Sequence, residues 1–244
     1  MLDSFFILSY LCLIIAFQSS IGVGVLVLGT PFLLILNYNI LEIFFILLPL
    51  SIITSLLNLL IFKFFNKKFE LTSLKEIKKF FLICMPSIIL GLLILKFFQS
   101  YINFRILVSI VIIISVFFVF LRDKITFRIN FFRISVLSII GVVHGLTNSG
   151  GTLMSLALST NNKKDYSRLN ISFFYFVLAS FQYILIIIIF NDKFFYPKDP
   201  ILVLIVFFGV LIGNIIYKYI NEKKYKWTIN LLALISAVML LINF

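Results

Sequence analysis

Two short polar stretches in an otherwise apolar chain carry the residues capable of chemistry. The first is Gln18-Ser19-Ser20-Ile21-Gly22-Val23-Gly24, and the second is His144-Gly145-Leu146-Thr147-Asn148-Ser149-Gly150-Gly151. An offset of 126 residues aligns Gln18 with His144 and Gly24 with Gly150, so the chain reads as duplicated. Glycines here admit positive φ and close backbone approach, and helices restarting at Val25 and Thr152 aim free N–H groups and positive dipole ends at the breaks. Ser19, Ser20, Thr147, Asn148 and Ser149 add hydroxyl and amide donors. No Lys or Arg is expected in mid-membrane, so these neutral donors suit a small oxyanion held weakly enough to be released. The expected binding set is Gln18, Ser19, Ser20, Gly22, Gly24, Val25, His144, Thr147, Asn148, Ser149, Gly150, Gly151 and Thr152.

Other chemistries find little support. No paired carboxylates, metal-ligand cluster or nucleophile with a nearby base is present, so no catalytic residue, metal site or cofactor is expected; Ser149 near His144 comes closest to such a pair. Cys12 and Cys84 lie within apolar runs and read as packing residues. No nucleotide-binding loop is present either. His144 is the sole histidine, and an unperturbed pKa near 6.5 allows it to switch around neutrality and couple anion to proton movement. A structurally satisfied histidine is the equal alternative, and a sodium ion remains open as coupling partner. The competing function classes are a non-transporting scaffold, disfavoured because no extramembrane domain is apparent, and an intramembrane enzyme.

The elements that must position these stretches are membrane helices. Hydrophobic residues make up 62% of the 244 and charged residues 12%, with a mean hydropathy of +1.19, which excludes a soluble domain. The net charge of +12 reflects Lys and Arg in short loops that set orientation, not nucleic-acid binding. Met1-Leu2-Asp3 lacks the cationic start of a signal peptide, so the first apolar run is expected to be retained. Six unbroken runs, Ile40–Phe65, Phe80–Phe98, Arg105–Leu121, Leu169–Phe190, Ile201–Tyr219 and Trp227–Phe244, read as spans. The broken runs are Leu2–Leu36 and Ile134–Thr160, and Asn66–Lys79 is a Lys-rich loop.

If each broken run turns back at its kink, 17 Lys and Arg fall on one side of the membrane and four on the other. That bias favours reversal with both termini outside. The limbs of the second run are too short to span, whereas the first run is either re-entrant or two short spans. The expected fold is therefore an all-α polytopic membrane protein of two inverted repeats, each a broken or re-entrant helical hairpin plus three transmembrane helices. Residues 1–121 form the first repeat, 122–133 a basic linker and 134–244 the second, together one domain in the cell (inner) membrane.

Gln18-Ser-Ser-Ile-Gly22-Val-Gly24 with Pro31 beyond it, and Gly141-Val-Val-His144-Gly145-Leu-Thr-Asn-Ser-Gly150-Gly151, resemble the two glycine-rich motifs of the TauE/SafE sulfite exporter family. The resemblance extends over the whole chain and implies transport of sulfite, sulfonates or related organosulfur and organic anions. Three positions depart from the pattern: Val25 and Asn148 stand where glycine is common, and Thr152 replaces a usual proline. The first two reduce backbone freedom, and the third restores an amide donor and adds a hydroxyl.

A second polar signal lies outside the motifs. Ser51, Thr54, Ser55 and Asn58 recur at three- and four-residue steps, and Ser180 matches Thr54 in the 126-residue register. This face lined by Thr54, Asn58 and Ser180 either borders the pathway or hydrogen-bonds neighbouring helices. Gln182 and Asn214 share that ambiguity, while Gly209-x-x-x-Gly213, Pro86 and Gly91 read as packing or kink residues.

Overall fold

The computed structural model describes residues 5–65, 70–122, 133–159, 163–190 and 200–225, with scattered residues as far as 238. Its helices are α1 (Phe5–Ile21), α2 (Val25–Ile35), α3 (Ile40–Phe65), α4 (Leu74–Phe98), α5 (Phe104–Arg122), α6 (Ile134–Thr147), α7 (Gly150–Ser159), α8 (Lys164–Phe190) and α9 (Pro200–Tyr219). No strand occurs among the described residues. Most of the linker 122–133 and of the run Trp227–Phe244 lies outside the described residues.

Helix lengths separate two kinds of element. α3, α4, α8 and the Ile201–Tyr219 part of α9 are long and apolar enough to cross a membrane. At about 1.5 Å per residue, α2, α6 and α7 reach only about 15–21 Å, short of the roughly 30 Å of hydrocarbon. Outward side chains are apolar as well: on α9, Leu204, Phe207, Phe208 and Leu211 are exposed, while Leu202, Val206 and Val210 face the core. An apolar outer surface is stable only where lipid covers it.

Packing pairs follow the 126-residue register. α1 packs on α9, α6 on α4, and α3 on α8. In the 126-residue register α1 corresponds to α6 and α4 to α9, so the first two contacts are one arrangement made twice. Small residues bring these backbones together. A Cβ added at Gly213 would lie 2.4 Å from the carbonyl oxygen of Ala16, and one at Gly145 would lie 2.5 Å from that of Ile88. Gly91 is as close, at 2.4 Å from Val142 O, while a Cβ on Gly209 would meet the Ile15 side chain at 2.6 Å and Cys12 O at 3.0 Å, so both answer to close helix approach.

Several boundaries differ from the expected ones. α4 starts at Leu74 instead of Phe80, because Ser73 caps it by accepting from the N–H of Glu76 while Glu76 bonds back to the Ser73 hydroxyl. Lys75, Lys78 and Lys79 are thereby helical, not loop. α8 likewise begins at Lys164, five residues ahead of the expected Leu169, and α7 begins at Gly150, ahead of Thr152.

Candidate anion-binding site

The first break is a reversal whose turn is closed by the Gln18 side chain. α1 ends at Ile21, Gly22 takes φ +88°, and α2 restarts at Val25. Tyr10 stacks on Phe32 with ring centroids 3.7 Å apart, and its hydroxyl donates to the Leu28 carbonyl at 3.2 Å. In an unbroken helix, positions 10 and 32 would be about 33 Å apart, so α2 runs back beside α1. Gln18 closes the turn. Its Oε1 accepts from the N–H of Val25 at 3.1 Å, and its Nε2 donates toward the carbonyl of Ser51 and the hydroxyls of Ser51 and Ser55 at 3.0–3.1 Å. The helix N-terminus that would attract an anion is thus occupied by an amide oxygen of the same chain.

Three more hydroxyls of this half are engaged, while Thr30 Oγ1 and Asn58 Nδ2 are buried without a partner. Ser19 donates to Asn58 Oδ1 at 2.7 Å, Ser20 to the Phe17 carbonyl at 3.0 Å, and Thr54 to the Leu50 carbonyl at 2.7 Å. Asn58 therefore reaches the first break, whereas the Thr54 hydroxyl serves its own helix. Ser180, on α8, is half-buried and about 140° around that helix from Tyr175.

The second break repeats the backbone with different chemistry. A Cβ on Gly24 would lie 2.7 Å from Ile14 O and 2.7 Å from Gln18 N; one on Gly150 would lie 2.3 Å from Ile140 O and 2.8 Å from His144 N. These are the same contacts shifted by 126 residues. The positive φ in this half belongs to Asn148, at 64°, with its N–H donating to the His144 carbonyl at 2.9 Å. Asparagine tolerates that conformation, so Gly150 and Gly151 are free to sit in the first turn of α7, where the need is space and not φ. Thr147 accepts from the N–H of Ser149 at 3.2 Å and donates to Val143 O at 2.8 Å, and the Ser149 hydroxyl donates to Thr147 O at 3.2 Å.

α8 gathers the two breaks onto one face. Gly22 packs against Ile171, where an added Cβ would be 3.0 Å from Cγ2, and Gly151 packs against Tyr175, where it would be 2.2 Å from the hydroxyl. Those residues are one turn apart. Two turns beyond Tyr175, Gln182 Nε2 donates to His144 O at 3.1 Å.

Around the second break, buried polar atoms have no hydrogen-bond partner. They are both ring nitrogens of His144, both amide atoms of Asn148, and Thr152 Oγ1, Ser172 Oγ, Tyr175 Oη and Gln182 Oε1. Native interiors leave few such groups, since each unmade bond costs about 1–3 kcal/mol. Eight of the eleven such atoms among the described residues belong to this break and to residues 172–182 of α8.

Ser172, Tyr175 and Arg168 escaped the sequence reading. Arg168 corrects the expectation that no cation enters the interior: it is 2% exposed, with Nη2 donating to Asn214 Oδ1 at 2.7 Å. The polar seven-residue spacing Arg168, Tyr175, Gln182 along one face of α8 was the available signal.

A helical bundle with an apolar exterior, long spanning helices and two interrupted ones is the build of a polytopic integral membrane protein. A model of the family described as Sulfite exporter TauE/SafE matches residues 7–240, nearly the whole chain. The chain belongs to this family of membrane transporters of sulfite and related anions. Neither the curated proteins nor the solved structures give a match.

Proposed function

We propose that this protein is a secondary carrier of sulfite, a sulfonate or a related small organosulfur anion, bound at the second break. The observation that carries the reading is the cluster of unpartnered polar atoms on His144, Asn148, Thr152, Ser172, Tyr175 and Gln182. Hydroxyls, an amide N–H2 and an imidazole N–H donate to the oxygens of such an anion without burying a fixed charge against it. Two or three charge-assisted bonds at about 1.5–3 kcal/mol each, less the anion's own desolvation, correspond to an affinity between roughly millimolar and micromolar, which permits release.

In this reading the halves are inverted repeats with both termini outside, supported by the 17-to-four distribution of basic residues and by the exchange-related packing of α1 on α9 and α6 on α4. Alternating access follows from movement of the hairpins against α3 and α8. His144 is the coupling group: an anion against its ring favours the doubly protonated imidazole, so a proton travels with substrate and no sodium site is needed.

The test is uptake of labelled sulfite and of methanesulfonate into vesicles reconstituted with the purified protein, across a pH series. Saturable flux with mutual competition is expected, and its pH profile flattens in His144→Gln. Absence of flux for both anions argues for a scaffold, and conversion of either one argues for an enzyme; each outcome removes the carrier assignment.

A further inference from the structure

Next to the first break lies a buried cation that the cradle at the second break does not use. Arg168 sits one turn into α8, and its backbone carbonyl faces Gly22, 3.4 Å from where a Cβ would be. Its guanidinium lies 4.0 Å above the Tyr217 ring and 4.8 Å above that of Phe62. Nη2 donates to Asn214 Oδ1 at 2.7 Å and approaches Asn58 Oδ1 at 3.4 Å, while the buried Nε has no partner. Every group holding Arg168 is neutral. Asp165, on the exposed rim, accepts from the Tyr217 hydroxyl and adds only a minor direct attraction.

Taking a guanidinium out of water costs several kcal/mol, and a carboxylate partner is the usual compensation. Here rings and amide oxygens supply part of it, each cation–π contact contributing about 0.5–2 kcal/mol. A fixed positive charge is left over, with one donor unused. One turn nearer the surface, half-buried Lys164 lies 4.7 Å from the centroid of the same Tyr217 ring and donates to Ile220 O at 2.7 Å. Lys164 and Arg168 therefore make two cationic steps leading inward from the rim that carries Asp165 and Glu222 to the break at Gly22. The second step ends in a chain of hydrogen bonds: Asn214 Nδ2 donates to Ser19 Oγ at 3.0 Å, and Ser19 to Asn58 Oδ1 at 2.7 Å.

We propose that Arg168 is a cationic station for the transported anion, reached past Lys164 and separate from the cradle at the second break, which holds no fixed charge. The inference rests on the carrier reading above. Arg168, Tyr175 and Gln182 succeed one another at seven-residue steps on α8, about 10 Å per step, so the station and the cradle lie along one helix face. Arriving sulfite takes the free Nε and competes with Asn214 and Asn58 for Nη2. The guanidinium fork matches two oxygens of a sulfite or sulfonate, as it does those of a carboxylate. Sign selection thus happens at Arg168, and weaker binding at the cradle, which holds no fixed charge, permits onward release. Asn214 is a positioning residue, holding the fork aside until the anion arrives.

The test uses full-length protein in nanodiscs, titrated with sulfite and with methanesulfonate at low and high ionic strength. Arg168→Gln is expected to weaken binding at least tenfold and to reduce its salt dependence, and Arg168→Lys to restore part of both. Asn214→Ala, which keeps the charge and frees Nη2, is expected to bind at least as tightly as wild type while unfolding at lower temperature without ligand. If wild type binds both anions and Arg168→Gln binds them equally well with unchanged salt dependence, the station is disproved and the carrier stands. If Arg168→Gln does not fold, weaker binding in Asn214→Ala overturns the proposal alone. If wild type binds neither anion, the carrier reading falls first.

Discussion

The two breaks share a backbone and differ in what their side chains leave undone. Gly24 against Ile14 O and Gln18 N, and Gly150 against Ile140 O and His144 N, show the same close approach made twice. Yet Gln18 spends its amide on Val25, Ser51 and Ser55, whereas His144 in the matching position leaves both ring nitrogens without a partner. At the first break the Gln18 amide closes the turn, whereas at the second the side-chain polar atoms of His144, Asn148 and Thr152 are without a partner.

The largest expected effect tests what the breaks have in common. Gly150→Ala and Gly24→Ala each drive a methyl group into helix backbone that cannot yield, at 2.3 and 2.7 Å. Each is expected to destabilise by about 3 kcal/mol or more, seen as loss of folded protein on size exclusion. Equal damage in the two halves confirms that the glycines answer one geometric need, and tolerance at either site breaks the parallel.

A smaller effect separates the halves. Gln18→Leu removes several buried bonds and is expected to lower stability by about 1–3 kcal/mol, given roughly 0.6 kcal/mol for an average bond in a membrane interior and 1–2 for strong ones. His144→Leu removes atoms that have no partner, so stability is expected to change by less than about 1 kcal/mol while sulfite affinity falls tenfold or more. Thermal unfolding and binding measured on the same samples check both. A His144→Leu protein as unstable as Gln18→Leu would erase the contrast.

The smallest test concerns two threonines. Thr30 in the first half and Thr152 in the second are both buried with unpartnered hydroxyls. Valine at either position is expected to shift stability by no more than ~0.5 kcal/mol. Only Thr152→Val is expected to weaken sulfite binding, by a few-fold in calorimetry, and an equal effect at Thr30 would move the site.

Much of this was visible in the chain. Gly, Ser, Asn and Gln gather at the breaks because an interrupted membrane helix needs φ freedom, space and replacement hydrogen bonds, and those needs restrict residue type. The start of α4 was legible too, since Ser73-x-x-Glu76 is a capping box, but the basic run around it read as loop. Arg168 was hidden for a related reason: Lys163-Lys164-Asp165 before it resembles a surface turn, and what buries it comes from α3 and α9, 46 to 110 residues away along the chain. Ile171 and Tyr175 look like ordinary positions of an apolar helix, and their role depends on which glycines meet them. Composition records what a segment needs locally; it does not record which distant neighbour supplies it.

The pairing of α1 with α9 also bears on how the chain is made. Ser19 donates to the carbonyl of Val210, 191 residues further along. At roughly 5–20 residues per second, synthesis would leave α1 waiting about 10–40 s for that partner, while α6 finds the already inserted α4 almost at once. α1 is therefore covered later than α6, and during that interval its glutamine and serines rely on α2 and α3. A nascent chain halted before Pro200 should leave α1 open to protease or cross-linker, with α4 and α6 already closed.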